Sequence, residues 1–202
     1  MKAPALPEID WFRPWLMPWR ARGEVVLEIA NRCGLSAALN DALIDLNSAP
    51  AAQPIATVGG SLRFVRQNEL PRGEAYESFI ARTGGVPTRD NLHDFFNGLA
   101  WLAFPRLKCH LNALQAAQIS SAPVGTARGA VRGVVRDALT LLDENAAILQ
   151  APPRLVDQLR QRDWPALVLT DRTLWREARL TLFGQALFET LVEPRKAITA
   201  HV

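Results

Sequence analysis

The chain has 202 residues, 49% of them hydrophobic and 21% charged, with 23 Lys and Arg against 20 Asp and Glu for a formal net charge of +3. This composition suits one well-cored domain over residues 1–202 and argues against disorder, while so mild a basic excess is too small to mark a nucleic-acid binder. No apolar run approaches the roughly 18 residues a membrane-spanning helix needs, and Cys33 and Cys109 stand in no metal or redox spacing, so the expectation is a cytoplasmic protein without membrane contact.

The first ten residues lack the apolar core of a secretion signal. Residues 1–20 form a Trp/Pro-rich arm in which Trp11, Trp15 and Trp19 are spaced by four, with Pro14 and Pro18 between them. Two prolines argue for a turn-rich path rather than a helix, and the tryptophans are expected to pin the arm over the core. An exposed aromatic patch for a partner is the alternative. Glu24–Cys33 reads as a short helix stopped by Gly34. Ser36 is a candidate cap for a second helix over residues 37–46. Residues 61–67 alternate and carry Phe64 and Val65, which predicts a strand. A third helix spans residues 73–83, stopped at Gly84 and Gly85.

The longest patterned stretch follows. Thr88 or Asp90 can cap a helix in which Leu92, Phe95, Phe96, Leu99, Leu102 and Ala103 recur at three- and four-residue steps. Asn97 stands out in this apolar run, because a buried amide without partners costs about 1–3 kcal/mol. Pro105 fits the first position of the next helix. Beyond it, Leu107, Leu111 and Leu114 form one stripe, and Lys108, Asn112 and Gln115 a second. Two readings are open. The polar stripe can face water, with His93 an ordinary helix-terminus residue. Or the stripes meet and line a pocket, with His93 as proton carrier and Asp94 or Asn97 orienting it.

Residues 120–125 read as a linker and a weak subdomain boundary. Arg128, Arg132 and Arg136 then fall at four-residue steps, a file that could hold phosphate or carboxylate groups or could simply be a solvated face. Lys2, Lys108 and Lys196 are the only lysines, so 23 minus 3 leaves 20 arginines, the side chain that favours bidentate anion contacts. Residues 139–149 fit two short strands around a turn at Glu144 and Asn145, with a continuous helix as the competing reading. Asp137, Asp143 and Glu144 are the densest carboxylates of that region. A helix is expected over residues 171–191, with Glu189 pointing outward, and His201 lies beside the C-terminus, where chains are usually mobile. The fold class predicted is α+β, predominantly helical, with a small antiparallel sheet or hairpin from residues near 61–67 and 138–149.

Several stretches together, GEAYESFIARTGGVPTRDNLHDFFNGLAWLAFPRLKCHLNALQ, RDALTLLDEN, FGQALFE and the terminal ITAH, resemble an uncharacterised bacterial domain-of-unknown-function family (DUF3025). The resemblance covers residues from about 63 to 201, and NLHDFFN is its most specific signature. It implies membership and no mechanism. It places His93, Asp94, Asn97, Asp137, Asp143 and Glu144 in the family's signature stretches. Two departures matter: the family tends to carry histidine where this chain has Gln185, and glycine where it has Ala146.

Two functions from different classes fit the residues. The first is an acid–base enzyme acting on a small anionic substrate, a hydrolase being one form. His93 would be acid or base, with Asp94, Asn97, Asp137, Asp143 and Glu144 as partners. Lys108, Asn112, Arg132 and Arg136 would bind substrate. A divalent metal in mixed N/O coordination could assist, although no ligand spacing calls for one. The second is a non-catalytic module that turns the arginine file or the N-terminal tryptophans toward a protein or nucleic acid.

Overall fold

Asn91 sets the start of the central helix: its side chain accepts the Asp94 backbone N–H at 2.8 Å, closing the cap of α4 (Leu92–Ala103). The caps expected from Thr88 and Asp90 are used otherwise. Thr88 bonds back to Val86 O, and Asp90 Oδ1 takes the Leu35 N–H at 2.7 Å, so Ser36 caps nothing either. Residues 94–102 of α4 are all buried.

The computed structural model describes residues 6–49, 53–121 and 133–202. Helices α1 (Arg20–Cys33) and α2 (Leu35–Asn47) hinge at Gly34, whose φ of 90° suits glycine. A tiny hairpin, β1 (Ala56–Thr57) with β2 (Gly60–Ser61), precedes β3 (Arg63–Arg66). Helix α3 (Tyr76–Thr83) leads to β4 (Gly85–Thr88), then α4 and α5 (Pro105–Ser120), which Pro105 opens as expected. After α6 (Val134–Asn145) come β5 (Ala147–Gln150), α7 (Pro153–Gln161), β6 (Arg179–Leu182) and α8 (Gln185–Val192).

The fold is predominantly helical α+β, with strands in two-stranded pairs. The pairing differs from expectation. β3 runs parallel to β4, Phe64 opposite Val86, with α3 as the crossover that a parallel pair requires. It does not meet residues 138–149. Those residues do not form a hairpin: they continue as α6 to Asn145, because Leu139 and Leu142 pack inward at helical spacing beside Leu111 and Phe183. Only then does β5 begin, antiparallel to β6. Residues 171–191 are not one helix. A 3-10 turn (Arg172–Glu177), β6 and α8 divide them, since β6 is held by β5. His201 is tied at its backbone, donating to Asn145 O at 2.9 Å and accepting from Ala147 N at 2.8 Å.

The N-terminal arm is pinned by its tryptophans. Trp11 packs on Phe95, Trp15 Nε1 donates to Leu191 O at 3.1 Å, and Trp19 stands edge-on to Phe188 with centroids 4.7 Å apart. They serve the core, so the aromatic patch imagined for a partner is spent inside the protein. Phe96 stacks on Phe188 at 5.0 Å, coupling α4 to α8. Gly98 brings α2 close to α4, since a Cβ there would run into the Leu39 side chain. No helix among the described residues is long and apolar enough to cross a membrane. Arg128, Arg132 and most of the expected linker lie outside the described residues.

Candidate functional site

The buried face of α5 is mixed, with Leu111 at 4% exposure lying beside the polar stripe. Lys108, Asn112 and Gln115 are 3%, 4% and 6% exposed, while Leu114 of the apolar stripe is 53% exposed. The polar stripe therefore faces inward, and the reading in which it faces water is overturned. Burying an ammonium and two amides costs free energy unless each is bonded, so their partners locate the site.

Lys108 Nζ donates to Asp143 Oδ1 at 2.5 Å and to Gln185 Oε1 at 3.3 Å, and Gln185 Nε2 reaches back to Asp143 Oδ2 at 3.4 Å. The ammonium also lies 5.6 Å from the Trp101 ring centroid. Asn112 donates to Glu77 O at 3.0 Å, and Asn97 Nδ2 to the Tyr76 hydroxyl at 2.9 Å. On α4, one turn from Asn97, His93 lies between two carboxylates: Nε2 is 3.7 Å from Glu144 and Nδ1 3.3 Å from Glu189. Five helices thus deliver polar groups to one cavity of about 360 Å³, at the small end of the range for small-molecule sites.

Gly184 makes the convergence of α6 and α8 possible. A Cβ there would collide with the backbone of Glu144 and Asn145. Its absence lets the end of α6, carrying Asp143 and Glu144, abut the start of α8, carrying Gln185.

The electrostatics are uneven. Arg89 holds Asp94 through Nε at 3.1 Å and Nη2 at 2.9 Å, and its backbone N–H adds a bond of 2.6 Å. Asp94 is thereby committed to Arg89 and does not orient His93. Burial raises the Glu144 carboxyl above its ordinary pKa; His93 pulls it back and Asp143 pushes it further up. Burial, with the negative charge of Asp94, likewise keeps the Tyr76 phenol protonated far past its usual range. The Asn97 Oδ1 atom is buried with no hydrogen-bond partner among the described residues.

Of the residues expected to form the site, His93, Asp94, Asn97, Lys108, Asn112, Asp143 and Glu144 all line the cavity. Arg136 and Asp137 do not: they lie further back on α6, half-buried and exposed respectively. Arg132 is outside the described residues. Glu189 is exposed, as expected, yet it contacts His93. Sequence reasoning passed over Tyr76, Glu77 and Arg89. Tyr76 is the only tyrosine of the chain; set one turn before Phe79 and Ile80, it reads as core. Cys109 donates to Ala56 O at 3.4 Å and burial raises its thiol, so it is no activated nucleophile. Among the described residues no three His, Cys, Asp or Glu side chains gather into a set that could hold a metal ion.

Compared with known proteins, residues 62–202 match the family model described as "Protein of unknown function (DUF3025)". No curated protein and no solved structure matches the chain.

Proposed function

The chain belongs to the DUF3025 family, and on that premise we propose that it is an acid–base enzyme acting on a small polar substrate held between α3, α4, α5, α6 and α8. The observation that carries this reading is the inward-facing stripe of α5. A lysine and two amides placed in the interior stabilise less than apolar side chains of the same volume would, so their presence around a cavity is best explained by a ligand.

His93 and Glu144 are the proton-exchanging pair. Glu144, with its pKa raised, is suited to hold a proton nearer neutral pH than an ordinary carboxyl. His93 can accept one from water or substrate while Glu189 steadies its other nitrogen. Lys108, held by Asp143 and Gln185, has a third N–H for a developing negative charge. Hydrolysis fits these parts, with one member of the pair removing a proton from water and the other returning one to the leaving group. A metal-free scheme is the simpler, because Asp143 already holds an ammonium. The anion contact imagined for Arg136 has no support, since that side chain is not on the cavity wall. We assign the protein to the cytoplasm, on the strength of its two free cysteines.

Complementation tests the reading. In a host from which the gene is deleted, a His93→Ala chain that folds normally fails to restore whatever the wild-type chain restores. Full restoration by His93→Ala contradicts it.

A further inference from the structure

The side chains around the cavity are out of electrical balance. Among the described residues, its wall carries four acids, Glu77, Asp94, Asp143 and Glu144, against the bases Arg89, Lys108 and His93. With every acid ionised and His93 protonated the acids are one ahead, and Glu189 against His93 Nδ1 adds a fifth, which keeps them ahead even when Glu144 holds its proton. The two permanent cations are already matched one to one, Arg89 by Asp94 and Lys108 by Asp143. What remains is Glu77 and Glu144 facing a confined space with, at most, a histidine shared with Glu189. A surplus of this kind, partly withdrawn from water, favours a cation and repels an anion.

An independent observation places a ligand among these groups. Asn97 is only 6% exposed, lines the cavity, and leaves Oδ1 without a partner. Its Nδ2 donates to the Tyr76 oxygen, so the Tyr76 proton too has no acceptor among the described residues. Exchanging the amide atoms lets Tyr76 donate to Asn97 but strands the NH₂ group instead. In either orientation the pair leaves hydrogen-bonding capacity open, and a buried open group costs about 1–3 kcal/mol until a ligand fills it.

We propose that the cavity binds a cationic nitrogen group, a primary amine or amidine, with Glu77 and, once the cation has displaced its proton, Glu144 as its counter-charges and Asn97 Oδ1 as the acceptor of one of its N–H bonds. This inference rests on the proposed acid–base site and narrows its substrate to amine-bearing molecules. It replaces the anionic substrate expected from the arginine count, because among the described residues the one arginine on the cavity wall, Arg89, is matched by Asp94.

The test is binding by the full chain, followed by ligand-detected NMR and thermal shift, of three probes on one carbon skeleton: n-butylamine, butyramide and butyrate. The amine is expected to bind more tightly than the neutral amide, and butyrate to bind least. Glu144→Gln should weaken the amine about tenfold, the worth of one partly screened ion pair, while leaving butyramide unchanged. Glu77→Gln should act in the same direction. Preference for butyrate, equal binding of all three, or no binding of the amine overturns the proposal. His93→Ala separates the two readings. It should keep the amine preference while failing to restore function in the deleted host; a His93→Ala chain that keeps the amine preference and also restores function fully would sink the acid–base enzyme and spare the amine site.

Discussion

Lys108 Nζ lies 2.5 Å from Asp143 Oδ1 with the lysine side chain 97% withdrawn from solvent. Such a pair is held as much by the cost of breaking it as by its own attraction. Removing Lys108 alone strands a carboxylate. Lys108→Met is therefore expected to cost about 3–5 kcal/mol, and Lys108→Met with Asp143→Leu to recover most of that loss. Denaturant titration of both variants checks it. Equal stabilities for Lys108→Met and the wild type would mean the ion pair is not formed inside the protein.

Tyr76 and Asn97 form a second coupled pair. Tyr76→Phe removes the only partner that the Asn97 amide has among the described residues, and should cost about 1–3 kcal/mol. Adding Asn97→Leu should restore much of it, by converting an unsatisfied amide into an apolar contact. The double-mutant cycle reads the coupling directly. A sum of independent effects would show that the two side chains do not touch.

Glu144 gives the pH dependence. Its carboxyl is raised in the folded chain relative to its ordinary value of 4.5. Above 4.5 the native state thus keeps a proton that the unfolded chain has released. Its contribution to stability accordingly falls as pH rises from the ordinary carboxylate value to the raised one, opposite to a salt-bridged acid. Glu144→Gln should flatten this slope and be no less stable than wild type at neutral pH. Melting curves across mildly acidic to neutral pH check the sign; an unchanged slope in the variant contradicts it.

Gly184→Ala tests how the site is held together. The new methyl would press on the Glu144 and Asn145 backbone, a backbone neighbour that cannot swing aside. A loss of about 1–3 kcal/mol is expected, with function lost beyond what stability explains, because Glu144 and Gln185 would move apart. A neutral substitution by thermal melt and complementation would remove Gly184 from the account.

Part of this site was legible beforehand. Asn97, one turn from His93 in an apolar helix, and the Lys108, Asn112 and Gln115 stripe at the same spacing both pointed to polar groups needing partners. Which way α5 turned was not legible. A leucine stripe and a polar stripe share its length, and only the partners on α3, α6 and α8, distant in sequence, put the polar one inside. Asp143 and Glu144 were singled out on the wrong backbone, a hairpin, because Asn145 suits a tight turn; Leu139 and Leu142, three apart, share one helix face instead, and Phe183, distant in sequence, packs beside them. The parallel pairing of β3 with β4 was hidden for a related reason. Gly85, Pro87 and Thr88 read as helix punctuation, and only Phe64 and Val65 across the ladder make them a strand. Tyr76 and Arg89 were missed because a tyrosine in an apolar helix and an arginine beside a helix start each have an ordinary explanation.

The account depends on the inward polar groups serving a ligand rather than only each other. The most direct measurement is mass spectrometry of a small-molecule cell extract incubated with the wild-type chain, with His93→Ala and with Glu144→Gln, all confirmed folded by thermal melt. The account predicts a polar, amine-bearing species depleted by the wild type and left intact by both variants. Identical extracts after all three incubations would contradict it.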